Sequence, residues 1–157
     1  MGPQVNVYDY HNKTEYEVDE RIVKLLERLW KVGMVTWQCC GGHGAGNTVD
    51  EGYSNPYIAY DFKKTYAPLA GRIQGRLGDN SDKYCIEYYY LDDEGCLERC
   101  DDFGADIAHL SSNARLDENG KFIDTFPEFE KDLIELCDIY EEVQKPFVSA
   151  MQYLYLK

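Results

Sequence analysis

The reactive side chains of this chain crowd into one stretch, Val35-Thr36-Trp37-Gln38-Cys39-Cys40-Gly41-Gly42-His43-Gly44-Ala45-Gly46. Two thiols and an imidazole stand together among four glycines, a set that offers two chemistries. The thiolates and imidazole could ligate zinc, or a Cys–His pair could serve as nucleophile and base. The glycines admit positive φ and let a ligand approach the backbone closely. Cys39, Cys40 and His43 are therefore the candidate metal ligands, and Cys39, Cys40, Gly42, His43 and Gly44 the candidate ligand-binding residues. Neighbours in a strand point to opposite faces, so both cysteines reach one ion only if the strand breaks at Cys40. No nearby acid is placed by spacing to orient His43. The same residues also fit a structural reading, with Cys39 buried and the glycines forming a tight crossover. The loop has no Gly-Lys-Ser/Thr ending and no helix pattern directly after it, so it matches no phosphate-loop signature.

The flanking elements must hold this loop. Val5, Val7 and Tyr8 suggest a short strand before a turn. Ile22, Leu25, Leu26, Leu29 and Trp30 repeat at helical spacing, predicting an amphipathic helix over 19–32, with Asp19 or an earlier residue as its cap and Gly33 as its stop. Residues 34–40 then read as a buried strand entering the loop, and 47–56 as a polar connector. Residues 57–62 alternate as a strand. Tyr66, Leu69, Ala70, Ile73 and Leu77 mark a second helix, with Pro68 in its first turn. Residues 83–91 are a tyrosine-rich strand, Asp92–Gly95 a turn, and 96–101 its hairpin partner. A short helix is expected near 105–110 and a second turn over 117–122. Phe129, Leu133, Leu136, Cys137 and Tyr140 stripe a helix from 126 to 143, which Pro146 should break or kink before a shorter apolar helix. The expected fold class is α+β: a small, mostly antiparallel sheet packed with helices. A single domain is expected, with an α/β core over 1–110 and an acidic helical region over 111–157.

The remaining thiols and histidines have quieter roles. Cys85 and Cys137 lie in apolar periodic segments and suit a core. Cys96 and Cys100 have a zinc-like spacing, yet only Cys39, Cys40 and His43 could supply a second ligand pair. His11 can pair with Asp9, and His109 sits in an apolar patch as a satisfied core residue. Neither Asp92-Asp93-Glu94-Gly95 nor Asp117-Glu118-Asn119-Gly120 has the alternating ligands of a calcium loop.

Charge supplies the rival signal. The net charge is −13, and it is unevenly placed. Acids and bases balance over 1–78, whereas 79–142 holds twenty acids against Lys83, Arg99, Arg115, Lys121 and Lys131. Such a chain is ill suited to a nucleic-acid backbone and well suited to a basic partner. Asp92, Asp93, Glu94, Glu98, Asp101, Asp102 and Asp106 gather around one hairpin. Glu128, Glu130, Asp132, Glu135, Asp138, Glu141 and Glu142 line the last long helix. Rows of carboxylates at this spacing could imitate phosphates in the basic groove of a nucleic-acid enzyme. Tyr88 and Tyr90 would be the anchors that charge alone does not provide. The predicted partner surface is thus Tyr88, Tyr90, Asp92, Asp93, Glu94, Glu98, Asp101, Asp102, Glu135, Asp138 and Glu142. Fourteen tyrosines also suit a homodimer interface.

The order helix, Gly33, Thr36-Trp37-Gln38-Cys39-Cys40-Gly41-Gly42-His43 and Tyr57-Ile58-Ala59-Tyr60 resembles small phage and bacterial domains. These carry a Thr-x-x-Ser-Cys-x-Gly-His strand and loop, with a related motif in wybutosine-synthesis methyltransferases. Cys39 stands where that pattern has serine, while Cys40, Gly42 and His43 match it. The resemblance spans about residues 19–77 and implies an α/β scaffold with a ligand loop. In overall character the chain also resembles acidic phage-encoded inhibitors of host defence, including anti-CRISPR proteins. No apolar run approaches the ~18 residues of a membrane span and no signal peptide is visible, so a cytoplasmic protein is expected, in the host cell if phage-encoded. The leading expectation is a non-enzymatic acidic inhibitor that engages a basic partner such as a CRISPR effector or another nuclease, without catalytic residues or cofactor. The alternative is a small enzyme or nucleotide- or metal-binding domain using Cys39–Gly46, with zinc as its cofactor.

Overall fold

The computed structural model describes the backbone of residues 3–65, 67–78 and 82–155, with the side chains of these through residue 144. Alternation of Val5 and Val7 against Tyr16 and Val18 makes a hairpin of β1 (Gln4–Asp9) and β2 (Thr14–Asp19), with Val5 opposite Val18 and Val7 opposite Tyr16. The turn is built on Asp9, whose carboxylate accepts the backbone N–H groups of His11 and Asn12 and the Asn12 side-chain amide. The expected Asp9–His11 pairing is thus a backbone one, and the His11 ring bonds the Trp30 carbonyl instead.

A 3-10 turn (Glu20–Ile22) leads into α1 (Val23–Lys31), and the five stripe residues predicted from spacing are all buried. Gly33, at φ +97, ends the helix. The main sheet has five strands in the order β3 (Thr36–Cys40), β4 (Tyr57–Asp61), β7 (Ile107–Ser112), β5 (Tyr84–Leu91) and β6 (Leu97–Cys100), every pair antiparallel. With α1, α2 (Ala67–Ile73, continued by a wide turn over Gln74–Gly78) and α3 (Phe126–Tyr155), this is an α+β fold. Tyr66 of the predicted second helix lies outside the described residues.

Period-two alternation divides the sheet into two faces. Ile58, Leu110 and Ile86 lie abreast on one, as do Tyr60, Ala108 and Tyr88. This face shares a single core with Leu25, Leu29, Leu69, Ile73, Phe129, Leu133 and Leu136 from the helices. On the other face His109 is half-buried and stacks on Tyr57 with ring centroids 4.5 Å apart. His109 and Cys85, expected in the core, therefore lie outside it, while Cys137 is fully buried.

Three other expectations are corrected. The segment read as a short helix near 105–110 is β7, the central strand. Its register sets small Ala108 between Tyr60 and Tyr88, and with Ile107 and Ala108, on opposite faces, both buried the alternation that marks a strand is blurred. Residues 34–40 do not form a buried strand: β3 is a sheet edge, with Trp37 46% exposed. Pro146 does not divide the last helix, because the backbone stays helical from Phe126 to Tyr155; a proline withholds one amide donor, and its neighbours carry the helix on. No described helix is long and apolar enough to cross a membrane.

Phe129 is fully buried where α3 meets the sheet, its ring 6.1 Å from that of Tyr84. Phe129→Ala should therefore lower stability by about 3–5 kcal/mol, read from urea unfolding. Phe103→Ala, at a side chain 95% exposed, should shift the same curve by less than about 0.5 kcal/mol.

Candidate functional site

β3 carries the cysteines to the loop, and an irregularity in it decides which way each one faces. Thr36 pairs with Tyr60 and Gln38 with Ala59, so Trp37 is an extra residue, a bulge. Beyond it Cys39 lies beside Ile58, on the core face, and Cys40 beside Tyr57, on the other. Burial pushes the Cys39 thiol up to about 12, helped by Cys40 and Asp19 nearby. Cys39 is thus a packing residue, and it does not join Cys40 and His43 as a ligand.

The loop turns Cys40 and His43 toward each other, with Sγ and Nε2 3.2 Å apart. The Gly42 N–H points at the same sulfur at 3.3 Å. The acid that spacing could not supply comes from the end of β2. Asp19, Cys40 and His43 each place one donor atom within 4.8 Å of the others. The helix cap expected of Asp19 is not made by its side chain. Its carboxylate accepts the Gly41 N–H at 3.3 Å and the Gln4 side-chain amide.

Arg21 fixes the loop from the other side. Its guanidinium donates from Nε to the Gly41 carbonyl at 3.0 Å, with a further bond from Nη2. It pairs with both oxygens of Asp124, at 2.9 and 3.0 Å, and lies 4.5 Å over the Phe126 ring. Asp124 is held below the usual carboxylate range, first by that Arg21 bond. The far end of the loop is tied down by reciprocal bonds between His43 and Ser54, and by Gly46 and Asn47 bonding to Phe122. Tyr53 stacks on Phe122 at 4.4 Å.

Two hollows open beside the cluster. One, of about 190 Å³, is lined by Arg21, Gly42, His43, Gly44, Tyr53 and Asp124 among others. The other, of about 360 Å³, is lined by Pro3, Asp19, Glu20, Arg21 and Gly42. Arg21 and Gly42 line both. Asp19, Arg21, Tyr53 and Asp124 come from the β2 end, the connector and the segment before α3. Sequence spacing had no means to find them.

The predicted partner surface is only partly gathered. Tyr88 is half-buried against the core, edge-on to Phe62 at 5.4 Å and bonded through its hydroxyl to Gln74. It is not an exposed anchor. On α3, Asp138 and Glu141 pair with Arg28 of α1 at 2.7 and 2.5 Å, and Glu135 with Arg76 at 3.8 Å. Glu128 pairs with Lys83 and Arg115, and Asp132 takes the Tyr84 hydroxyl. Asp92 builds the hairpin turn by accepting the Glu94 and Cys96 N–H groups, Asp102 accepts from Gln74, and Asp106 pairs with Lys63. Exposed at that end remain Tyr90, Asp93, Glu94, Glu98 and Asp101, with Glu142 exposed on α3. Cys96 and Cys100 sit by β6, four strand spacings or about 19 Å from β3 across the sheet, too far to share an ion with Cys40.

No family model, curated protein or solved structure matches the chain.

At Gly44 the backbone has φ +85, and an added Cβ would stand 2.5 Å from the Gly52 carbonyl oxygen. Gly46 shares the positive φ, at +86, but meets open space. Gly46→Ala should therefore cost about 1–2 kcal/mol through backbone strain alone, and Gly44→Ala distinctly more. Thermal melts of the two variants check the order, and amide exchange over 42–54 should rise most in Gly44→Ala.

Proposed function

We propose that the protein is a small-ligand-binding domain of enzymatic type, working through Asp19, Cys40 and His43 at the glycine loop. The observation that carries this reading is convergence: Asp19, from the end of β2, meets Cys40 and His43 of the loop within 4.8 Å beside two hollows. A nucleophilic relay would place the acid on the far nitrogen of the imidazole. Here no Asp19–His43 hydrogen bond is found among the described residues, and the three donor atoms lie within 4.8 Å of one another. That favours holding a ligand between them over passing a proton along them. Native mass spectrometry of protein purified without chelator should show a mass above that of the bare chain. The excess should vanish in Cys40→Ser and His43→Gln and persist in Cys39→Ser. An excess that survives both site variants would refute the reading.

A second reading rests on a different observation. Tyr90, Leu91, Leu97 and Phe103 are exposed at 40, 47, 38 and 95% around the β5–β6 hairpin, among Asp93, Glu94, Glu98 and Asp101. Apolar anchors ringed by carboxylates suit docking on a basic protein, and support an acidic inhibitor of a nuclease such as a CRISPR effector. The site is then the hairpin and not α3, whose acids are largely paired. In pull-downs against basic nucleases, capture should weaken steeply with salt. Glu98→Lys should slow association, Phe103→Ala should cost about 2 kcal/mol of affinity, and Glu135→Lys should change little. Salt-independent capture would end this idea.

A further inference from the structure

We infer that the ligand of the loop is a single zinc-type divalent ion, held by the Asp19 carboxylate, the Cys40 thiolate and the His43 imidazole; this rests on the reading of the loop as the working site. Asp19 is the telling residue. It is only 9% exposed, yet none of the ion pairs of the described residues includes it; its partners are the neutral amides of Gly41 and Gln4. Each of its oxygens accepts one such bond and keeps a lone pair for a cation. A dication bound beside it, with Cys40 as thiolate, makes the three-ligand site neutral overall.

The spacing agrees. Metal–ligand bonds of roughly 2.0–2.3 Å in a tetrahedron put two donors roughly 3.2–3.6 Å apart. The Cys40 sulfur and the His43 nitrogen are already 3.2 Å apart. With all three donors inside 4.8 Å, Asp19 has on the order of 1 Å to close. The supporting bonds expected around a metal site are also present. The Gly42 N–H serves the sulfur, and the Gly41 N–H and Gln4 amide orient the carboxylate. Arg21 pins the Gly41 carbonyl, so the loop is set before any ion arrives. Mixed sulfur, nitrogen and oxygen donors select zinc over magnesium or calcium, which take oxygen alone. Binding displaces the Cys40 thiol proton to solvent. Three protein donors leave a fourth position, the mark of a zinc site that takes water or substrate. His43 and Gly42 also line the smaller hollow beside the loop.

The test uses the full chain, stripped with chelator under reducing conditions and titrated with Co2+ and then Zn2+. One equivalent of Co2+ should give the visible bands of a four-coordinate ion and a thiolate-to-cobalt absorption, both erased by one equivalent of Zn2+. Cys40→Ser should lose the thiolate absorption. Asp19→Asn, close in shape, should weaken Co2+ at least about tenfold, while Cys39→Ser should bind as the parent does. Far-UV circular dichroism and melting of each variant show that the fold is kept. A six-coordinate spectrum without thiolate absorption, or an Asp19→Asn variant that binds like the parent, overturns the assignment. So does loss of the site in Cys39→Ser. An organic mass retained in the native spectrum with no Co2+ uptake would remove the metal and leave the loop reading standing; a bare chain with no Co2+ uptake would remove both.

Discussion

Arg21 is the joint on which the loop depends. Its planar fork ties its own turn before α1 to two pieces of chain remote in sequence: the Gly41 carbonyl and Asp124 before α3. As an ion pair it contributes little to stability, since Arg21 and Asp124 are about two-fifths exposed and such pairs are worth about 0–1 kcal/mol. Its effect is geometric. A guanidinium bonded along one edge to a carboxylate and along the other to a carbonyl fixes both in a plane. The glycine loop is thereby held against the end of β2, where Asp19 stands. The net charge of the chain gives no hint that one of its few arginines has this role.

Much of the scaffold was legible in the sequence because it obeys a single period. The stripe of α1, the alternation of β4, the hairpin of β5 and β6, and the stripe of α3 each follow from spacing, and each is buried or paired as expected. What was illegible follows two rules at once. In β7 apolar Ile107 on one face and small Ala108 on the other are both buried, and Ala108 sits where Tyr60 and Tyr88 crowd it; a small residue in an apolar run then mimics a helix.

Composition also could not separate acids that face solvent from acids that hold the molecule together. The carboxylates on α3 form one charged face in sequence. In the fold Arg28, Arg76, Lys83 and Arg115 meet several of them. An acidic helix next to a body that keeps its few cations on the facing surface is an internal interface. The hairpin acids have no such facing surface, and apolar side chains stand exposed among them. Net charge alone assigns both groups to a partner, whereas the positions of the cations divide them.

The identity of the reactive cysteine turns on one inserted residue. In an unbroken ladder from the Thr36–Tyr60 pair, Cys39 would fall beside Tyr57, away from the core, and Cys40 would fall on the core parity. Trp37 adds a residue to β3, and the pairing shifts to Cys39 with Ile58 and Cys40 with Tyr57. That shift packs one thiol against the core and delivers the other to His43 and Asp19. Sequence shows two adjacent cysteines and the alternation rule, but alternation has no origin until the bulge is located. The exposed Trp37 at a sheet edge therefore does more than end the pairing: it sets which of the two cysteines faces His43 and Asp19.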